Sequence, residues 1–166
     1  MDKLTANQVR HRLSYDPMTG VFRWKNPHPK SPVKPGDIAG TVTKFGYVVI
    51  CVDRQYKMAH QLAWLYMTGE WPDQEIDHRD TVGTNNAWRN LRLATRTQNA
   101  RNKRVRADSV SRLKGVTFNR RKGKFAAYIK DGGKQRHLGY FSDPLAAHAV
   151  YQREAIRIAG EFARAA

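Results

Sequence analysis

The chain has 166 residues, with 30 Lys and Arg against 14 Asp and Glu, a formal net charge of +16 and a single cysteine. That length holds one ordinary domain or two small ones, and so large a positive charge points to a polyanionic partner, with nucleic acid first. One thiol, Cys51, excludes an intramolecular disulfide and paired Cys-x-x-Cys zinc ligation, and no apolar run approaches the roughly 20 residues that span a bilayer.

The opening MDKLTANQVRHRL is polar, lacks a secretory pattern, and predicts an intracellular, cytoplasmic protein. Within it, TANQVRHRL predicts a short helix. Turn signals then punctuate short strands: YDPMTG before VFRW, and KPG before DIAGTV. GYVVICV and QYKMAH, separated by Asp53-Arg54, predict a tight β-hairpin. Cys51 lies in the apolar run of its first strand and reads as a core thiol. The next segment, HQLAWLYMTG, predicts a helix that turns Leu62, Ala63, Leu65, Tyr66 and Met67 inward and stops at Gly69. His60 at its start reads as a structural side chain before one that touches a site.

From residue 73 the pattern is strand QEIDH, a loop rich in Gly and Asn, strand NLRLAT, and a helix capped by Thr95 or Thr97. Residues 96–136 hold fourteen Lys and Arg against Asp108 and Asp131, which marks them as the polyanion-facing stretch. The run RNKRVRADSVSRLKG lacks the apolar face of a membrane-surface helix, so no membrane partner is expected. Three domain segments are expected: 1–106, a linker at 107–112, and 113–166.

Beyond the linker, LKGVTFNR, KFAAYIKD and QRHLGYF alternate as three strands. A helix from about Pro144 to Phe162 follows, capped by Ser142 or Asp143, with Leu145, Ala149, Ile156 and Ala159 expected on its inner face. Alternation groups Val116, Phe118, Phe125, Ala127 and Ile129 toward that helix. Thr117, Asn119, Ala126, Tyr128 and Lys130 face outward, joined by Gln135 or Arg136 and by the turn residues Arg121, Lys122 and Lys124. Such a basic sheet face fits a DNA major groove. It offers no exposed aromatic pair for stacking RNA bases, which disfavours an RNA partner.

The chemistry-bearing stretch is Asp77 to Asn102. An Asp-His pair is followed by Asn90 and Asn99, twelve and twenty-one residues after His78. In a β-loop-β-α unit the end of the first strand, the start of the second and the first helical turn converge, so Asp77, His78, Asn90 and Asn99 can meet. There is no nucleophile elbow for a triad hydrolase and no phosphate-cradling P-loop.

Ile76-Asp77-His78, Gly83-Thr84-Asn85-Asn86, Asn90-Leu91-Arg92 and Thr97-Gln98-Asn99, with Met58 to Ala63 ahead of them, resemble the HNH (ββα-metal) endonucleases, in particular the phage and intron-borne homing type. The resemblance covers roughly residues 15–105. It implies a DNA endonuclease in which His78 is the general base, Asn90 orients its imidazole, and Asp77 and Asn99 bind one Mg²⁺ or Mn²⁺ per active site. Products would carry a 5′ phosphate and a 3′ hydroxyl. The final Asn99 stands where many relatives carry His. Asn85 and Asn86 read as loop-shaping residues, and no small-molecule organic cofactor is expected.

Lys114-Gly115-Val116, Gly123 to Ala127, His137 to Phe141 and Ala146 to Ala149 resemble the plant Apetala-two/ethylene-response-factor DNA-binding domain. That resemblance implies double-stranded DNA contacts from Lys114, Thr117, Asn119, Tyr128, Lys130, Gln135 and His137. The basic residues Arg101, Lys103 and Arg104 are added as further candidates. The combined expectation is an α+β protein: an N-terminal β-rich region with a ββα-metal HNH core, then a three-stranded antiparallel sheet packed on one long helix. A DNA-binding regulator on a degenerate nuclease fold is the alternative.

Overall fold

The computed structural model describes residues 3–96, 98, 99 and 111–162. It is mixed α+β and divides into two compact units, Met1–Arg96 and Thr97–Ala166. Among the described residues no helix is long and apolar enough to cross a membrane. Most of the predicted 107–112 linker lies outside the described residues.

The first unit opens with α1 (Ala6–Arg12), whose capping box pairs the Thr5 side chain with the Gln8 backbone and returns the Gln8 side chain to Thr5. Strands β1 (Leu13–Tyr15) and β2 (Phe22–Trp24) form an antiparallel pair. Their connection is tied by Asp16, which accepts from the Met18 amide and the Thr19 hydroxyl. Strands β3 (Thr41–Val42), β4 (Val48–Val52) and β5 (Gln55–Met58) make an antiparallel sheet. The predicted Asp53-Arg54 turn is there, with φ of +45° and +64° at the two residues, the left-handed pair that a two-residue hairpin turn requires. Helix α2 (Ala59–Thr68) follows directly and ends on Gly69 at φ +87°. Met67 departs from expectation: it is 40% exposed. Leu62, Ala63 and Leu65 already fill the inner stripe, and Trp64 takes the adjoining position against Trp88, ring centroids 5.1 Å apart.

Strands β6 (Glu75–His78) and β7 (Leu91–Ala94) pair antiparallel, with Asp77 opposite Arg92 and His78 opposite Leu91. A 3-10 turn at Trp88–Asn90 leads into β7, and Arg96, Gln98 and Asn99 beyond it have helical backbone. Val9, Leu13, Phe22, Ile50, Val52, Leu62 and Leu65 are fully buried in one cluster. Each large apolar side chain removed from water contributes about 1.5–3 kcal/mol. The half-exposed Arg12–Asp53 ion pair at 2.9 Å contributes about 0.2–1 kcal/mol at most, so burial holds this unit together.

In the second unit β8 (Val116–Asn119), β9 (Lys124–Asp131) and β10 (Lys134–Phe141) form the expected antiparallel sheet in the order β10-β9-β8, packed on α3 (Pro144–Ala159). Of the two capping candidates it is Asp143 that caps α3, accepting from the Leu145 and Ala146 amides at 3.1 and 2.9 Å. The inner face of α3 differs from the predicted one. Leu145 and Ile156 are 65% and 55% exposed, while Ala147, His148, Tyr151 and Ala155 are buried. The helix is rotated so that the Tyr151 ring rests against Gly115, and His148 meets the Lys114 carbonyl through Nδ1 at 2.9 Å. Those two contacts outweigh the apolar count on the other stripe. Phe118, grouped with the helix-facing set, is 39% exposed and packs on Phe125 at the sheet edge.

A Cβ on Gly115 (φ +73°) would lie 2.1 Å from the Tyr151 ring, whereas one on Gly123 (φ +61°) meets open space. Gly123→Ala therefore isolates the backbone cost, about 1–2 kcal/mol, and Gly115→Ala adds about 1–3 kcal/mol of overpacking. Denaturant unfolding of the two variants checks the difference, and equal midpoints would remove Tyr151 as the cause of the helix phase.

Candidate active site around His78

His78 ends β6, 5% exposed. Its Nε2 lies 3.2 Å from the side-chain oxygen of Asn86, itself 2% exposed. The direction of this bond follows from its surroundings. Asn86 Nδ2 donates to the Thr84 carbonyl at 3.2 Å, which turns Oδ1 toward the imidazole. An amide oxygen only accepts, so Nε2 carries the proton, and in the neutral ring the lone pair sits on Nδ1.

Asn86 is held from the other side by the N-terminal hairpin. The Tyr15 hydroxyl donates to the Asn86 carbonyl at 2.7 Å, and burial, then the charge of Asp16, raises the pKa of Tyr15 well above its ordinary value, keeping the donor protonated. Gly20, at φ +75°, sits so close that a Cβ there would be 2.1 Å from the Asn86 carbonyl carbon. The Trp88 amide donates to the Pro17 carbonyl at 2.9 Å.

Asn90 is not the amide on the imidazole, contrary to its expected contact. Its Oδ1 accepts from the Asp80 amide at 3.1 Å, and its Nδ2 donates to Asp80 Oδ1 at 2.9 Å and to the Asn85 carbonyl at 2.7 Å. Asn85 Nδ2 closes the ring on Asp80 Oδ2 at 2.6 Å. The physical reason is register. Asn90 precedes β7 by one residue and faces the 80–85 loop, which leaves the imidazole to Asn86. This network holds Thr81 at φ +62°, a left-handed backbone costing a β-branched residue on the order of 1–3 kcal/mol. The little burial Asp80 has pushes its pKa up. Hydrogen bonds from Val82, Asn85 and Asn90, with the nearby His78, outweigh that and hold it below the ordinary Asp value.

Asp77 is buried and bound to Arg92, whose Nε and Nη2 reach Oδ2 at 2.9 and 2.8 Å. Adjacent positions on a strand point to opposite faces, which separates Asp77 toward Arg92 from His78 toward Asn86. Among the described residues no group of three or more His, Cys, Asp or Glu forms a cage. The donor set expected for a metal, one carboxylate and one amide, is instead that of a hard cation that keeps several waters and takes phosphate oxygens. Asn99 is half-buried in the second unit.

Sequence reasoning gives no site role to Tyr47 or Asp80, reads Asn86 as loop-shaping, and places His60 as structural before site-touching. Tyr47 and His60 flank His78: ring centroids lie 5.9 Å apart for Tyr47–His78 and 5.1 Å for His60–His78, the two imidazoles perpendicular. Asp80, two residues past the Asp-His pair, lies within the chemistry-bearing stretch and is found by its hydrogen bonds, whereas Tyr47 lies on a hairpin remote in sequence.

In the second unit Thr117, Lys124, Lys130, Gln135, His137 and the turn residues Arg121 and Lys122 are exposed, with Lys114, Asn119 and Tyr128 half-buried. Pairing of Asn119 with Lys124, Lys130 with Gln135, and Tyr128 with His137 puts these on one face. That face also carries an aromatic row, contrary to expectation: His137 lies 5.0 Å from Tyr128 and 4.4 Å from Tyr140, and Lys122 Nζ sits 4.0 Å over Tyr140. The β-bulge at His137 to Gly139 brings Tyr140 to this side, a shift that strict alternation misses. Arg101, Lys103 and Arg104 lie outside the described residues.

His60 Nδ1 is buried without a hydrogen-bond partner. Burial, and then the charge of His78, push its pKa from 6.5 down to about 4. Between those values the unfolded chain binds the proton and the folded chain does not, so stability rises with pH across that window. It falls away as pH drops from 6.5 toward 4, by on the order of 3 kcal/mol. Asp80 loses its contribution only below the ordinary Asp value, a separate window. His60→Phe is expected to flatten the pH 4–6.5 slope in thermal unfolding, and an unchanged slope would count against this assignment.

Comparison with known proteins adds two partial likenesses. A 50-residue stretch, 30% of this chain, is 46% identical to APETALA2-like protein 2 of Oryza sativa subsp. japonica. A stretch of the same length is 44% identical to the AP2-like ethylene-responsive transcription factor TOE2 of Arabidopsis thaliana. The chain spans only 12% and 10% of those proteins. No solved structure matches the chain. The family whose model does match is that of the HNH endonucleases, over residues 57–101, the segment that carries Asp77, His78, Asn86 and Asn90.

Proposed function

We propose that this protein is a metal-dependent DNA endonuclease of the HNH homing type, phage-encoded, placed on duplex DNA by its second unit. The observation that carries the reading is the anchored imidazole: inside the matched segment, Asn86 fixes His78 as an Nε2 donor and leaves Nδ1 as the basic atom. In the proposed reaction His78 Nδ1 takes a proton from water, the water oxygen forms a bond to phosphorus, the bond from phosphorus to the 3′ oxygen breaks, and that oxygen takes a proton from solvent water. The ends are a 5′ phosphate and a 3′ hydroxyl.

Asp77 and Asn99 are the residues proposed to hold one Mg²⁺ or Mn²⁺. When bound, such a cation neutralises phosphate charge and stabilises the departing oxygen. Asn90 serves the base at one remove, by fixing the loop of Asp80 and Asn85 from which Asn86 projects. The outer face of the β8–β10 sheet is proposed to contact DNA through Lys114, Thr117, Asn119, Arg121, Lys122, Lys124, Tyr128, Lys130, Gln135 and His137, with Arg101, Lys103 and Arg104 adding phosphate contacts. The Asp77–Arg92 ion pair favours a second reading, a DNA-binding regulator on a nuclease fold that no longer cuts.

With Mg²⁺ or Mn²⁺ the protein is expected to nick or cut duplex DNA. His78→Ala lowers the rate by about 10²–10⁴-fold with DNA affinity nearly intact, and Asn86→Ala lowers it by about 10–100-fold, as for other partners that orient a functional histidine. Cutting by His78→Ala at the wild-type rate eliminates the mechanism, and binding without cutting by the wild type selects the regulator. Separately, Lys124→Ala and Lys130→Ala should each reduce the salt slope of DNA binding by about one unit. An unchanged slope would show that this sheet face does not meet phosphates.

A further inference from the structure

The turn between β3 and β4 carries the most exposed large apolar side chain among the described residues, Phe45, at 75%. It is a firm mount. The Thr43 amide donates to the Tyr47 carbonyl at 2.7 Å, the Gly46 amide to the Thr43 carbonyl at 2.9 Å, and the Tyr47 amide to the Thr43 hydroxyl at 3.2 Å. A side chain of this size on a hydrogen-bonded tip is left facing water rather than packed into the core of the first unit.

The tip is also fastened to the His78 site. Gly83, in the loop after β6, approaches so closely that a Cβ there would lie 2.5 Å from the Gly46 carbonyl and 2.7 Å from the Tyr47 ring. The Tyr47 ring in turn lies 5.9 Å from His78. Val82, next to Gly83, is 39% exposed and Val42, on the strand leading into the turn, 59%. Lys44 stands beside Phe45 with Nζ 5.1 Å from the ring centroid. An apolar point with a cation at its shoulder therefore stands on the rim of the site.

We infer that Phe45 is a wedge that enters the DNA minor groove and unstacks a base step within about five steps of the phosphate at His78, with Lys44 on a phosphate next to the wedge. The inference rests on the endonuclease reading and extends it to how the duplex is seated. Partner chemistry follows from charge and proximity: a +16 chain with a cation next to the exposed ring suits a polyanion, and the tip adjoins the His78 site through Gly83 and Tyr47. Apolar side chains that kink DNA enter from the minor groove, and the lost stacking is offset by contacts the bend permits. Phe45 and Tyr47 are two residues apart, so their Cα atoms are within about 7 Å. At about 3.4 Å per base step the wedge falls within about five steps of the phosphate at His78.

The test uses the full chain and duplexes selected from a random-sequence pool for tightest binding, with 2-aminopurine placed in turn across the bound region. Measurement in metal-chelated buffer keeps the readout independent of cleavage. The wild type is expected to brighten one step several-fold. Phe45→Ala abolishes that signal and weakens binding about tenfold with its thermal midpoint unchanged, while Phe45→Leu retains part of it. Lys44→Ala weakens binding and leaves the signal. No bright step with the wild type, or one that survives Phe45→Ala, overturns the wedge. Loss of a dimer in Phe45→Ala overturns it too, assigning the ring to self-association. A bright step without cutting once Mg²⁺ or Mn²⁺ is restored sinks the endonuclease reading and keeps the wedge, and cutting without a bright step does the reverse.

Discussion

Asn86 is the residue on which the organisation of the first unit turns. A buried amide left without partners costs about 1–3 kcal/mol per group, and Asn86 is partnered at every end: Thr84 on its amide hydrogens, His78 on its side-chain oxygen, Tyr15 on its carbonyl. Each bond fixes something different. The contact with Thr84 settles which way the side-chain amide faces, the contact with His78 settles the tautomer of the imidazole, and the contact with Tyr15 ties both to the N-terminal hairpin. The positive φ at Thr81 and the close approach of Gly20 are conformational costs that such a fixed point demands of its surroundings.

Around this point two charged groups sit in different regimes. Asp80 is fed by three N–H donors from Val82, Asn85 and Asn90 and organises the loop. Asp77 is locked to a guanidinium in the interior, where taking both ions out of water cancels much of their attraction. Such a pair contributes little net stability and a good deal of definition: it sets the β6–β7 register at Asp77 opposite Arg92 and thereby the position of the next residue, His78. His60, an uncharged imidazole edge-on to that histidine, adds no competing charge near neutral pH.

Much of this was legible in the chain. The short helix in TANQVRHRL, the Asp53-Arg54 turn and the Asp143 cap, one of the two candidates there, stand where local signals place them, because each signal lies within a few residues of what it controls. The Asp-His pair and its asparagines were legible as a motif. What was not legible depended on partners remote in sequence. The choice of Asn86 over Asn90 at the imidazole rests partly on Tyr15, 71 residues away. The phase of α3 rests on Gly115, whose missing side chain leaves room for Tyr151, and a count of apolar residues gives no weight to an absent one. The aromatic row on the outer sheet face required a bulge that strict alternation does not foresee.

The contact between Gly20 and Asn86 bears on modularity. The stretch that matches the endonuclease family begins at residue 57, yet the chain that backs its loop comes from the turn at Asp16 to Gly20 and from Tyr15. Moving the matched stretch alone into another scaffold would carry the imidazole and leave its brace behind. The smallest transferable part is discontinuous, and the first hairpin and the Asn-rich loop can vary only in concert, because neither backbone has room to accommodate a change in the other.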